Sequence, residues 1–177
     1  MKLVDVKFVF IFIVFSGLQS CNEKVAVLDY CKILTDDQLD VNWDKSDMAK
    51  FEADKIKRSN RITNNFELLI RETKENGFPV VSLNFADDEN CKSRAVTMTM
   101  IHIAQINPKL FFSGYYSKLF KLEIDKGNLD KELLKRSCII AFKTEEICEN
   151  LKSNIEDAIN LWKLELSIMR DTKFVKC

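Results

Sequence analysis

Ala95–Asn107 reads AVTMTMIHIAQIN and is the most apolar run of the chain outside its first twenty residues. It holds Val96, Met98, Met100, Ile101, Ile103 and Ile106, and the only histidine, His102, lies between two isoleucines. Its period is mixed. Val96, Met98, Met100 and His102 alternate as in a strand, whereas Ile103 and Ile106 return at helical spacing. No turn residue interrupts the run, and its neighbours on both sides have helical patterns. The reading is therefore a central core helix, and the fold class that follows is all-α or nearly so: one compact domain of four to six helices.

On the N-terminal side, Asp87-Asp88-Glu89-Asn90 reads as the start of that helix, because acids are favoured at the positive end of the helix dipole. It lacks the alternating ligands and the glycine of a calcium loop. Residues 78–85, FPVVSLNF, read as a packed loop. A long helix is expected from Ser46 to Asn76, with Met48, Phe51, Ile62, Phe66, Leu69 and Ile70 as its apolar stripe. Gly77 suits the positive-φ position that ends a helix, and Pro79 enforces the stop. Further upstream, Thr35-Asp36-Asp37-Gln38 has the form of a capping box and predicts a short first helix starting there. Asp40–Lys45 then reads as loop, with Trp43 directed into the core.

On the C-terminal side, Asn107-Pro108 restarts the chain as N-cap and first helical residue. One helix is expected from there to Gly127, carrying Phe111, Phe112, Tyr115, Tyr116, Leu119, Phe120 and Leu122. Core packing is the plain reading of those aromatic rings, and Tyr115, Tyr116 and Phe120 are the candidates for a binding groove if the rings face outward. Asn128 or Asp130 caps the next helix, whose buried side is Leu133, Leu134, Cys138, Ile139, Ala141 and Phe142. Glu145-Glu146 beside Thr144 reads as another helix start. The last helix begins at the capping box Ser153-Asn154-Ile155-Glu156, with Ile155, Ala158, Ile159, Trp162, Leu166 and Met169 at three- or four-residue spacing. Leu161, Leu164 and Ile168 widen that stripe.

The totals fit this picture. The 177 residues are 46% hydrophobic and 31% charged, with only 4 Gly and 2 Pro, a globular profile without low-complexity segments. Lys plus Arg balance Asp plus Glu at 27 each. Without a basic stripe, nucleic acid is not an expected partner.

Residues 1–20 carry a different message. Lys2 and Lys7 precede the apolar run Phe8–Phe15, and Ser16-Gly17-Leu18-Gln19-Ser20 leads to Cys21. A basic start, a short apolar core and a small residue at the junction form an export signal. The run is too short to span a bilayer, which takes about twenty residues. Removing the segment leaves 25 basic and 26 acidic side chains. Leu18-Gln19-Ser20-Cys21 resembles a bacterial lipobox. That resemblance implies a bacterial lipoprotein: cleavage before Cys21, lipidation of Cys21, and a cell-envelope location, with the outer membrane as default because residue 22 is not aspartate. The alternative is a cut after Ser20 and plain secretion. The expected division is a signal peptide at 1–20, a tether at 21–34 and a helical domain at 35–177.

The six cysteines are Cys21, Cys31, Cys91, Cys138, Cys148 and Cys177. With Cys21 lipidated, an odd number remains and at least one thiol is free or pairs between chains. With Cys21 bare, three bridges can form. No C-x-x-C spacing supports a zinc ribbon or a redox centre. Cys138 in its apolar run reads as a small buried hydrophobe, and Cys177 reads as exposed.

Catalytic motifs are missing from the sequence: no G-x-S-x-G, no H-E-x-x-H, no phosphate loop and no dinucleotide fingerprint. No cofactor or metal site is expected. His102 is the one candidate general base, and its plain reading is a structural histidine hydrogen-bonded to a neighbouring helix. Gly77-Phe78-Pro79, His102 six residues before Pro108, and Gly127 together resemble a family of small exported helical bacterial domains of unknown function. That resemblance covers roughly Phe51–Phe142 and implies a helical fold. The chain departs from it near Arg136-Ser137, where an Asp-Arg pair and a following Tyr-Gly-Thr-Gln run are absent, so no activity carries over. The expected function is a lipid-anchored envelope protein acting as a binding or interaction module, with another envelope protein as a partner. The alternatives are a hydrolase-like enzyme using His102, or a secreted, disulfide-stapled effector or immunity-type protein.

Overall fold

The computed structural model describes residues 28–38, 46–83, 91–144, 146–167 and 172–177. Those residues form an all-α bundle: α1 (Tyr30–Gln38), α2 (Met48–Asn76), α3 (Lys92–Ile106), α4 (Pro108–Phe111), α5 (Gly114–Asp125), α6 (Lys131–Thr144) and α7 (Lys152–Trp162). A two-residue parallel pair, β1 (Ile147–Cys148) with β2 (Phe174–Val175), joins the start of the last unit to the C-terminus. No described helix is long and apolar enough to cross a membrane.

The Ala95–Asn107 stretch is helical, and α3 is the central element. It packs against α1, α2, α4 and α6. Ala95, Val96, Met100, Ile101, Ile103 and Ala104 are buried along it. Helical period wins over the local alternation because α3 is surrounded, so residues on several of its faces are apolar. Asn107 ends α3 and caps α4: its side chain accepts a hydrogen bond from the Leu110 N–H at 3.1 Å, with Pro108 in the first turn.

The core is aromatic. Phe66 on α2, Phe111 and Phe112 around α4, Phe120 on α5 and Trp162 on α7 are all buried. Their rings meet mostly edge-on or tilted, Phe66–Tyr116 at 5.1 Å and Phe111–Phe112 at 4.9 Å between centroids, the arrangement that aromatic quadrupoles favour. The Trp162 indole N–H donates to the Ser117 carbonyl at 2.9 Å, so its one polar atom is satisfied inside.

Helix α2 agrees with its expected span. Asp47 caps it by accepting from the Lys50 N–H at 3.0 Å, and it stops at Gly77 with φ 83 and ψ 164. That backbone region is open to glycine almost alone. Phe78 and Pro79 are buried in the loop that follows.

Several boundaries differ from the sequence reading. Helix α1 starts at Tyr30, within the stretch assigned to the tether, and Thr35 is not its cap. Asp29 is: its carboxylate accepts from the Lys32 N–H at 2.9 Å, while the Thr35 hydroxyl donates back to the Cys31 carbonyl at 2.8 Å. A helix interior threonine commonly bonds one turn back in this way. The helix expected from Pro108 to Gly127 is broken. Ser113 is extended (φ −63, ψ 149), and α5 begins at Gly114. Ser and Gly are weak helix formers, and the break allows Phe111 and Phe112, adjacent in sequence, both to point into the core. Helix α5 does close at Gly127, whose φ is 77. The next residue, Asn128, donates its N–H to the Glu123 carbonyl at 2.9 Å, the closing bond of a Schellman turn.

Asp130, not Asn128, caps α6, accepting from the Glu132 N–H at 2.9 Å. Glu146 leads into β1 and starts no helix. Helix α7 begins at Lys152, so Ser153 lies inside it, and Leu151 stands at the cap without a side-chain bond. It ends at Trp162. Lys163 takes the left-handed conformation (φ 55), and the Leu164 N–H reaches the Ile159 carbonyl at 3.1 Å. Leu164 and Leu166 pack on the core from outside the helix. The readings for Trp43, Asp87–Asn90, Ile168 and Met169 lie outside the described residues.

Candidate functional site

His102 sits on α3 and faces α1. Its Nδ1 is 2.8 Å from Oδ1 of Asp37 in the last turn of α1. The imidazole is 12% exposed and the carboxylate 2%. Two nearby bonds hold α1 in the same position: the Asn65 amide donates to the Ile33 carbonyl at 3.3 Å, and the Arg61 Nε–H to the Asp36 carbonyl at 3.1 Å. Asp37 is thus delivered by an element that the sequence reading began at Thr35, and nothing in the local pattern pairs positions 37 and 102. With Nδ1 engaged, a carboxylate fixes the ring's tautomer and orientation. Among the described residues no hydrogen bond engages Nε2. The arrangement can cross-link two helices, and it can also orient a general base.

The three candidate groove residues do not act together. Phe120 is fully buried. Tyr116 is buried as well, with its hydroxyl donating to Glu67 Oε1 at 2.7 Å. Burial and that bond push the Tyr116 pKa well above the usual phenol range. They are corrected to core residues, because α5 turns the 116 and 120 positions inward against Phe66. Tyr115 alone points out, 55% exposed, with the Lys74 ammonium 5.2 Å from its ring centroid. Beside it a shallow hollow of about 490 Å³ is lined by Gly114, Tyr115, Lys118, Leu119 and Leu122. Leu122 is 49% exposed.

Sequence reasoning missed Glu123. Its carboxylate is 1% exposed and accepts from the Phe78 N–H at 2.9 Å, the Asn128 amide at 2.8 Å and the Lys126 ammonium at 2.8 Å. Burial pushes its pKa up, but these three donors outweigh that and hold it below the usual glutamate value. All its partners are fixed by the fold, so the group is a clasp between the Gly77–Phe78 turn and the end of α5. The Gly77–Phe78 turn and the Lys126–Asn128 turn meet at this clasp. Arg136 is exposed, and Ser137 is buried with its hydroxyl on the Leu133 carbonyl at 2.9 Å.

Cys31 bridges Cys91, tying α1 to the start of α3, and Cys148 bridges Cys177, tying β1 to the C-terminus. Cys177 is exposed, as expected, though not as a thiol. Cys138 is a free, fully buried thiol whose pKa burial drives far up, which makes it inert. Cys21 lies outside the described residues. No group of three or more metal-ligating side chains occurs among the described residues. No family model matches the chain, and no curated protein or solved structure matches it significantly.

Proposed function

We propose that this protein is an exported, lipid-anchored domain of the cell envelope that works as a binding module, with Cys21 as the lipidated residue. The observation that carries this is the disposition of the other five cysteines. Four are paired and the fifth is sealed in the core. Disulfides persist in oxidising compartments outside the cytosol, which accords with the export signal at residues 1–20. The same count accounts for every described cysteine without calling on Cys21. That cysteine directly follows the short apolar segment, where the lipobox resemblance puts the acylated residue. Several acyl chains on one cysteine give the multiple signals that stable anchoring needs.

Intact mass of the protein from its native membrane fraction tests this. An N-terminus at Cys21 carrying acyl mass, with the chain four hydrogens lighter than its fully reduced form, is the expected result. A bare chain would make it a soluble secreted protein and overturn the anchor.

One observation favours a second reading. The Asp37–His102 pair has the orientation of a carboxylate-steered general base, the arrangement a hydrolase-like enzyme would use. Loss of a measured hydrolysis on His102→Gln, with unchanged folding, would support it.

A further inference from the structure

The two bridges differ in what else holds their cysteines together. Cys31 lies on α1, which is fixed to the bundle independently of its bridge: Asp37 meets His102, the Asn65 amide meets the Ile33 carbonyl, and Arg61 meets the Asp36 carbonyl. Ile33 and Asp37 are buried in that contact. Cys177 belongs to the stretch 172–177, in which no residue is buried. That stretch meets the body through the two-residue β1–β2 pair and through Phe174, which packs on the core from outside with the Lys152 ammonium 5.7 Å from its ring centroid. Thr172 keeps a further partner. Beside the bridge a shallow hollow of about 420 Å³ is lined by Glu149, Asn150, Lys176 and Cys177.

We propose that Cys148–Cys177 is a thiol–disulfide exchange site for a protein dithiol, and that its reduction releases residues 172–177 while Cys31–Cys91 and the helical bundle stay intact. The proposal does not depend on the anchor at Cys21. Cys177 is exposed and Cys148 half-buried, so an attacking thiolate reaches the Cys177 Sγ, from the side of the hollow. A sulfur–sulfur bond forms between the attacker and Cys177, the Cys148–Cys177 bond breaks, and Cys148 leaves as a thiolate that takes up a proton. The second thiol of the dithiol then displaces Cys177. The dithiol ends as a disulfide, its two electrons and two protons have passed to the bridge, and both cysteines are thiols. Cys31 is exposed as well, so access alone does not rank the bridges. The effective concentration of the two thiols after reduction does. The bonds on α1 keep Cys31 beside Cys91, which favours closing that bridge again. No buried side chain in 172–177 holds Cys177 near Cys148, so reduction there is followed by departure of β2, and Phe174 leaves the core surface.

The test equilibrates the oxidised protein with graded ratios of reduced to oxidised thioredoxin, alkylates the thiols with N-ethylmaleimide and maps them by peptide mass. Cys148 and Cys177 should be labelled at a ratio about tenfold below the one that labels Cys31 and Cys91. At that ratio far-UV helicity should be unchanged, and amide exchange should rise severalfold at Phe174 and Val175 but not in α1. Reduction of both bridges together, or of Cys31–Cys91 first, would overturn the ranking. If dithiothreitol opened Cys148–Cys177 and thioredoxin did not, the bridge would be closed to a protein dithiol and the exchange site would be wrong. The Cys148→Ser, Cys177→Ser double variant reads the release without any reductant. It should keep the helicity of the parent and already show the raised exchange at Phe174 and Val175; protection at the parent's level would mean that β2 stays docked without its bridge, and the release would be refuted.

Discussion

His102 and Asp37, 65 positions apart in sequence, meet at 2.8 Å and join α3 to α1. The bond is one of several attachments of α1, beside the Cys31–Cys91 bridge and the two bonds from Arg61 and Asn65. Because His102→Ala removes one partner of the buried Asp37 carboxylate, it is expected to lower stability by about 1 kcal/mol. A double-mutant cycle with Asp37→Ala, read from urea midpoints, should show a coupling of about 1 kcal/mol. Additive losses would mean that the pair contributes nothing as a pair.

The Glu123 clasp makes stability depend on pH in one direction. Its pKa is lower folded than unfolded, so its stabilising effect is complete above the ordinary glutamate value of about 4.3. That stabilisation is lost as pH falls below that value and through the folded pKa. Glu123→Gln should cost about 1–3 kcal/mol at neutral pH, because one amide oxygen cannot serve all three donors. It should also flatten the acid limb of the stability curve. Urea titrations between neutral pH and pH 3 compare the two proteins.

Gly77 is the glycine that the turn demands. Its φ of 83 disfavours any L side chain, and an added Cβ would lie 2.8 Å from the Asn128 amide nitrogen. That amide is itself held on Glu123. Gly77→Ala is therefore expected to cost about 1–3 kcal/mol, measured as a drop in Tm. Gly114→Ala is the contrast: it stands at the start of α5 with open space around it, and should be neutral or slightly stabilising.

Removing the Cys31–Cys91 bridge by a double serine substitution frees a 60-residue separation. The cost should be about 2–4 kcal/mol, seen in the denaturant midpoint. Cys138 should resist iodoacetamide in the native protein and react fully in denaturant. Rapid native labelling would contradict its burial.

Local chemistry made much of the fold legible. The Ile62, Phe66, Leu69 and Ile70 part of the α2 stripe, the Gly77 stop, the Asn107-Pro108 restart and the Gly127 closure each depend on residues within a few positions of one another, whereas Met48, expected in the same stripe, is exposed. Capping patterns were less dependable. Thr35 and Ser153 both start sequences of capping-box form, yet both lie inside helices, because Asp29 caps the first and a 3₁₀ turn at Glu149–Leu151 leads directly into the second. The β1–β2 pair escaped notice because two residues have no readable period. Of the site, His102 was visible as the only histidine, whereas Asp37 was one acid among 27 and Glu123 carried no signal at all.

The sequence by itself determined the helical class, the core stripe of α3, the burial of Cys138 and the glycine stops, since each follows from side-chain volume, polarity or backbone freedom over a turn or two. Tertiary structure alone decided that Asp37 meets His102, that Glu123 serves Phe78, that the four bridged cysteines pair as they do, and that Tyr115 faces out while Tyr116 and Phe120 face in. Those outcomes depend on how whole helices cross and rotate against each other. Many weak packing contacts over the entire core set that orientation, and no short stretch of residues encodes it.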